Sequence, residues 1–266
     1  MTIPIYQVDA FTNKVFGGNP AAVCPLEAWL PDEVMQKIAA ENNLSETAFF
    51  FPNHTKGGYN LRWFTPKLEI DLCGHATLAT AHVIFEELAY EGTSIDFHTL
   101  SGILKVSKQD NLIVMDFPSR KPIASAMPLF LLEGLGLQER AVEEVLKSRD
   151  YVVVVKNEQI LAALQVNFTQ LEQVNTLGII VTSHSNTVDF VSRFFAPRAG
   201  VNEDPVTGSA HCTLIPYWAG KLGKNELHAY QVSERKGELF CALNGERVSI
   251  AGQGVTYLKG MIQCTL

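Results

Sequence analysis

Long apolar runs are missing from this chain. The longest, Tyr151–Val155 and Met127–Leu132, fall far short of the ~18–20 residues that a membrane-spanning helix requires. The start of the sequence carries no basic region, and Asp9 sits where a secretion signal would be apolar, so no leader is expected. Cysteine is sparse: Cys24, Cys73, Cys212, Cys241 and Cys264 form an odd, scattered set without a Cys-x-x-Cys pair. That argues against a disulfide framework or structural zinc and fits a reducing cytoplasm. An excess of positive charge is lacking too. The 21 Lys and Arg residues are outnumbered by 28 Asp and Glu, for a formal net charge of −7, so neither nucleic acid nor an anionic membrane is expected as a partner.

The common signature motifs are absent as well. There is no Gly-x-Gly-x-x-Gly and no P-loop, so no nucleotide cofactor is implied. There is no His-Glu-x-x-His, and no second histidine stands at ligand spacing to His75, so no metal site is expected. Ser209 lacks the Gly-x-Ser-x-Gly setting of a hydrolase nucleophile.

What remains is an ordinary globular composition. Apolar residues make up 47% of the 266 positions, enough for a real core, and the length suggests about two domains at ~150 residues each. The sequence also holds a weak copy of itself. Arg62-Trp63-Phe64-Thr65-Pro66 matches Arg193-Phe194-Phe195-Ala196-Pro197, and Cys73-Gly74-His75-Ala76 matches Thr207-Gly208-Ser209-Ala210. Each copy runs on into a predicted helix and then a predicted hairpin, Ile103–Val106 with Leu112–Met115 and Leu239–Leu243 with Val248–Ile250. Asn244-Gly245 between alternating apolar residues is a strong hairpin signal. The pattern predicts two related lobes of sheet and helix, 1–118 and 119–256, divided after Pro118. Within them, Pro31-Asp32-Glu33 opens a helix ending near Asn43, a second runs from Gly74 to Leu88, Val142–Leu146 reads as a helix and Tyr151–Val155 as a buried strand.

Gly74 and Gly208 each precede a predicted helix. Glycine lets backbone N–H groups approach a ligand, and a helix start attracts anions. One such turn per lobe suits a small acid with one or more carboxylates, although each glycine alone also fits a plain tight turn. Ionisable residues lie beside these turns. Glu46 precedes an apolar strand-like run, where desolvation would suit it to general acid or base work; a cap or a solvated strand end is the plainer reading. His75 can be a structural histidine, Asp204 a turn former and Ser209 a helix cap. A two-thiol racemase mechanism is excluded, because the place matching Cys73 is Thr207, whose hydroxyl is far too weak an acid.

The motifs together resemble the PhzF (phenazine biosynthesis-like) family over nearly the whole length. They are Gln7-Val8-Asp9-Ala10-Phe11-Thr12, Gly18-Asn19-Pro20-Ala21-Ala22-Val23, Ser45-Glu46-Thr47-Ala48-Phe49, Cys73-Gly74-His75-Ala76-Thr77 and Glu203-Asp204-Pro205-Val206-Thr207-Gly208-Ser209-Ala210. The resemblance implies an α+β diaminopimelate-epimerase-like fold: two pseudo-symmetric lobes, each a mostly antiparallel sheet around a central helix, with a cleft site and a C-terminal strand, 257–266, returning to the first lobe. It implies a homodimer and a cofactor-free isomerase in which Glu46 moves the proton, with His75, Asp204 and Ser209 completing the catalytic set. A carboxylate-bearing substrate would be held by Gly74, Gly208 and neighbouring amides, with Asn19 and Ser45 nearby. Phe64, Asp71 and the Val201–Asn202 turn are further expected pocket positions. An epimerase or lyase on a small amino or hydroxy acid, or a non-catalytic small-acid binder, are the alternatives.

Overall fold

The computed structural model describes residues 1–264. The chain forms two compact units, one of Met1–Asp116 with the segment from Ala251 onward, the other of Phe117–Ile250. Among the described residues no helix is long and apolar enough to cross a membrane.

In the first unit the elements run β1 (Thr2–Ala10), β2 (Asn19–Pro25), α1 (Asp32–Asn42), β3 (Glu46–Pro52), β4 (Tyr59–Phe64), β5 (Glu69–Ile70), α2 (Gly74–His82), β6 (Ser94–Thr99), β7 (Gly102–Gln109) and β8 (Leu112–Pro118). Hydrogen-bonded neighbours follow the order β1-β2-β3-β4-β6-β7-β8. The β2/β3 and β4/β6 pairs are parallel and the others antiparallel, and short β5 adds to β4. The last strand, Gly254–Gln263, pairs antiparallel with β1. It begins at Gly254 rather than at Tyr257 as expected, because pairing with β1 continues to Ala10 and a glycine leaves room for the His82 ring 3.1 Å from where a Cβ would stand. Thr265 and Leu266, the end of the expected strand, lie outside the described residues.

Helix α2 explains the burial of this sheet. Seven of its nine residues are buried, His75 to Ala81 in one run, as befits a helix that is apolar on every side. It continues into a π-helical turn, Val83–Glu87. Helix α1 packs elsewhere: Met35, Ile38 and Ala39 share a core with Ile3, Cys24, Phe49 and Phe64. The paired strands β2 and β3 therefore read as near-continuous apolar runs rather than alternating ones.

The second unit contains β9 (Ile123–Ala124), α3 (Leu131–Leu135), β10 (Val142–Lys147), β11 (Tyr151–Val155), α4 (Glu158–Ala162), α5 (Phe168–Leu171), β12 (Ile179–His184), β13 (Phe190–Ala196), β14 (Val201–Asp204), α6 (Gly208–Leu222), β15 (Glu226–Gln231), β16 (Gly237–Asn244) and β17 (Arg247–Gly252). The stretch Val142–Leu146, expected as a helix, is strand. It pairs antiparallel with the valine-rich β11, Val145 opposite Val153 and Leu146 opposite Val152. The apolar spacing of Val142, Val145 and Leu146 fits a helix, but tertiary pairing overrides so short a signal. Helix α6 carries Pro216 in its interior. Proline removes the N–H that would meet the Cys212 carbonyl, and the Arg120 N–H takes that carbonyl instead, at 2.9 Å.

Both units repeat one wiring pattern. In the first, β2 is parallel to β3, β3 antiparallel to β4, and β4 antiparallel to β5 and parallel to β6. In the second, β11, β12, β13, β14 and β15 repeat those relations in the same sequence. The repeat reaches side chains. Arg62 grips Glu69 through two hydrogen bonds of 2.6 and 2.7 Å, and Arg193 grips Glu203 through two of 2.7 Å.

Candidate active site

Strand pairing builds the first unit's polar cluster. The parallel register sets Ala21 against Glu46, which brings the starts of β2 and β3 together. Residue Asn43 ends α1 in the left-handed conformation (φ 49°), and Ser45 and Glu46 follow at once. From the other side, Cys73 is the extended residue that leads into α2, with Gly74 and His75 its first two helical residues. No side chain caps this helix start, so its first N–H groups keep their affinity for an anion.

Of the expected residues, Asn19, Ser45, Glu46 and His75 come together in this unit. Glu46 Oε2 lies 2.9 Å from His75 Nε2, yet out of hydrogen-bond alignment, so both are buried polar atoms without a hydrogen-bond partner. On the other ring nitrogen, His75 Nδ1 meets the Asn19 amide nitrogen at 3.2 Å and Cys73 Sγ at 3.5 Å. Ser45 Oγ donates to Asn19 Oδ1 at 3.4 Å. Asn19 is fully buried, and His75 and Cys73 are only 5% and 7% exposed. Glu46 is thus neither a cap nor a solvated strand end. Burial opposes protonation of His75, but the neighbouring Cys73 and Glu46 outweigh it and hold the imidazole well above its ordinary pKa. Burial, then the Glu46 charge, pushes the Cys73 thiol upward.

Not every expected neighbour joins this cluster. Phe64 is buried against Phe49 in the α1 core and under Arg62, and Asp71 is exposed. Glu46, Cys73 and His75 each offer a ligand atom, all within 4.8 Å of one another. The histidine-to-histidine spacing rule did not see this group because its other members are a carboxylate and a thiol.

In the second unit, Asp204 ends β14 and Gly208 and Ser209 open α6. Thr207 Oγ1 donates to Asp204 Oδ2 at 2.5 Å. Gln231, which sequence reasoning missed, locks this turn: its Nε2 donates to the Asp204 carbonyl at 2.7 Å and to Thr207 Oγ1 at 3.1 Å, and its Oε1 accepts the Thr207 N–H at 2.9 Å. Ser209 is not the helix cap; Thr207 holds that place. Ser209 Oγ instead accepts from Arg149 Nη2 at 2.9 Å, and Arg149 is held by the buried Asp150 at 2.8 Å. Arg149 and Asp150 were also missed, since nothing local in Ser148-Arg149-Asp150 marks them. Val201 and Asn202 are exposed. His211 is fully buried and neutral, with a pKa lowered by burial to about 4, and hydrogen-bonds the Thr207 carbonyl at 2.9 Å through Nδ1.

The internal repeat shows that the base was not duplicated. Thr47 pairs with Phe64, and Ile179 pairs with Phe195, so Glu46 corresponds to Gly178. A Cβ at Gly178 would stand 2.3 Å from Phe194 Cζ. One unit carries the Glu–His pair, and the other fills the equivalent space with an aromatic edge.

The chain is similar to known proteins along nearly its whole length. The family model described as phenazine biosynthesis-like protein (PhzC-PhzF) matches residues 8–260. An uncharacterized isomerase of Pseudomonas aeruginosa is 52% identical over 98% of this chain and 99% of its own length. An uncharacterized isomerase of Halalkalibacterium halodurans is 53% identical over 97% and 98%. The crystal structure of a PhzF-family protein from Enterococcus faecalis superposes with a TM-score of 0.95 at 45% identity, covering 99% of this chain and 100% of that one. The fold is of the diaminopimelate-epimerase-like α+β type. With five motifs in order, the Glu46–His75 cluster and this match from residue 8 to 260, the chain belongs to the PhzF (phenazine biosynthesis-like) family.

Proposed function

We propose that this chain is an isomerase that moves a proton between two carbons of a small carboxylic acid, without a cofactor, using the Glu46 carboxylate as the group that removes and returns it. The observation that carries this reading is the buried Glu46–His75 contact at 2.9 Å with no hydrogen bond made by either facing atom. A carboxylate in that position retains a lone pair for a carbon-bound proton. His75 faces that carboxylate at 2.9 Å and fixes its position. The start of α2, at Gly74 and His75, supplies N–H groups for the substrate carboxylate, which acidifies the adjacent carbon as charge develops. Cys73 keeps its proton, so the chemistry is that of one base. Asp204 and Ser209 enter the proposal through the family motif, supported in place by Gln231 and Arg149. A homodimer belongs to the same proposal and is read out by light scattering.

The test is proton exchange in deuterated water with a panel of small unsaturated and 2-substituted carboxylic acids. Wild-type protein is expected to place deuterium at a carbon distinct from the one that loses its proton. Glu46→Gln is expected to slow turnover by ~10²–10⁴-fold, which is about 2.7–5.4 kcal/mol of barrier. Turnover unchanged in that variant removes Glu46 from the mechanism. Return of label to the same carbon with inversion marks an epimerase, loss of a group marks a lyase, and thermal stabilisation without exchange marks a binder.

A further inference from the structure

The proposed reaction leaves one buried reactive group without a task. Cys73 sits in the cluster with its sulfur 3.5 Å from His75 Nδ1, and the base that acts is Glu46. We infer that Glu46, Cys73 and His75 form a binding site for a thiophilic divalent cation such as Zn²⁺, and that an ion bound there withdraws Glu46 from proton transfer. Metal binding stands on geometry alone; the inhibition rests on the function proposed above.

The donor set is a carboxylate, a thiol and an imidazole, each a zinc-ligating group, and three protein ligands leave a fourth position open. Their ligand atoms lie within 4.8 Å of one another, and no other such trio is found among the described residues. A four-coordinate zinc with bonds of about 2.0–2.3 Å sets its ligand atoms ~3.3–3.8 Å apart. The 2.9 Å Glu46–His75 separation has to open slightly and Cys73 to draw in, movements within reach of side-chain rotation. Two of the donor atoms, Glu46 Oε2 and His75 Nε2, are buried and make no hydrogen bond, so coordination satisfies atoms that are otherwise unpaired. On binding, Cys73 Sγ coordinates as thiolate and its proton passes to solvent. His75 gives up its Nε2 proton to solvent and coordinates through Nε2, which leaves Nδ1 protonated. Turning the Asn19 amide so that Oδ1 faces the ring gives that proton an acceptor, the usual outer support of a metal-bound histidine. Mg²⁺, a hard cation that prefers oxygen ligands, should not compete.

The experiment is an anaerobic titration of the reduced full-length protein with Co²⁺, read by absorbance, with turnover measured in parallel by the deuterium exchange assay. The expected result is one equivalent of Co²⁺ giving a near-ultraviolet sulfur-to-cobalt band with visible four-coordinate bands, bleached by Zn²⁺ and untouched by Mg²⁺. Cys73→Ser should abolish the near-ultraviolet band, and Glu46→Gln and His75→Gln should each weaken Co²⁺ binding at least tenfold, with circular dichroism confirming that the variants fold. Absence of the sulfur band in wild type, its survival in Cys73→Ser, or its insensitivity to both other variants overturns the site. The bands with turnover indifferent to Zn²⁺ keep the metal site and sink the catalytic reading of Glu46. An inactive Glu46→Gln together with a wild-type protein that gives no cobalt band does the reverse.

Discussion

Replacing Gln231 with leucine should loosen the second unit at the Asp204 turn, and the cost follows from three hydrogen bonds. The side chain is 0% exposed; it accepts from the Thr207 N–H and donates to the Asp204 carbonyl and to Thr207 Oγ1. Leucine is similar in length but offers no polar atom. The Thr207 N–H then loses its partner, at about 1–3 kcal/mol for a buried group left unsatisfied, and the Asp204 carbonyl loses its Gln231 bond, at about 0.5–1.5 kcal/mol. The third bond is less costly, because Thr207 Oγ1 still donates to Asp204. The expected loss is therefore roughly 1.5–4.5 kcal/mol, reduced toward the lower end where water reaches the turn. With an m-value of about 2–3 kcal/mol/M in urea, the midpoint should fall by roughly 1–2 M. The assay is urea unfolding followed by circular dichroism and by tryptophan fluorescence, with Trp218 reporting from the second unit. Amide exchange at Thr207 should accelerate by at least tenfold. A midpoint shift below about 0.2 M with an unchanged m-value would refute the claim that Gln231 holds the turn.

Other outcomes follow from groups already described. His75 has a raised pKa in the folded chain, so its contribution to stability should be full below the unfolded value of about 6.5 and be lost as pH rises through the folded value; His75→Gln should flatten that part of the stability–pH curve. His211 is the opposite case, neutral and lowered to about 4. Its contribution should be present above about 6.5 and decline as pH falls toward 4, and an acid-unfolding profile of His211→Gln should lack that decline. Gly178→Ala forces a Cβ to within 2.3 Å of the Phe194 ring; overpacking of this kind costs about 1–3 kcal/mol, and a thermal scan showing no change would contradict the assigned contact.

Much of this molecule was legible in its sequence, and the reasons differ by residue. The helix starts at Gly74 and Gly208 were readable because a glycine turn and an apolar run are local signals. The duplication was readable from Arg-aromatic-Phe-small-Pro, since each arginine repeats one structural task, the grip on Glu69 or Glu203. Val142–Leu146 was misread because its six-residue strand offers too few periods to separate strand from helix without knowing that β11 lies beside it. The Glu46–Cys73–His75 group was only half legible. Glu46 and His75 were named singly, but their meeting depends on the parallel register of Ala21 with Glu46, a pairing that no spacing along the chain encodes. Gln231 and Arg149 were invisible for the same reason: their partners lie 24 and 60 residues away.

The final strand lies against β1, and the Met1 ammonium meets the Cys264 carbonyl at 2.5 Å. During translation, then, the later half, Phe117–Ile250, is complete before the earlier half has received its closing strand. Until Gly254–Gln263 leaves the ribosome, β1 is a bare rim with unpaired amides, the kind of edge that recruits stray strands. A nascent chain stalled just short of Gly254 should therefore be the species that chaperones hold.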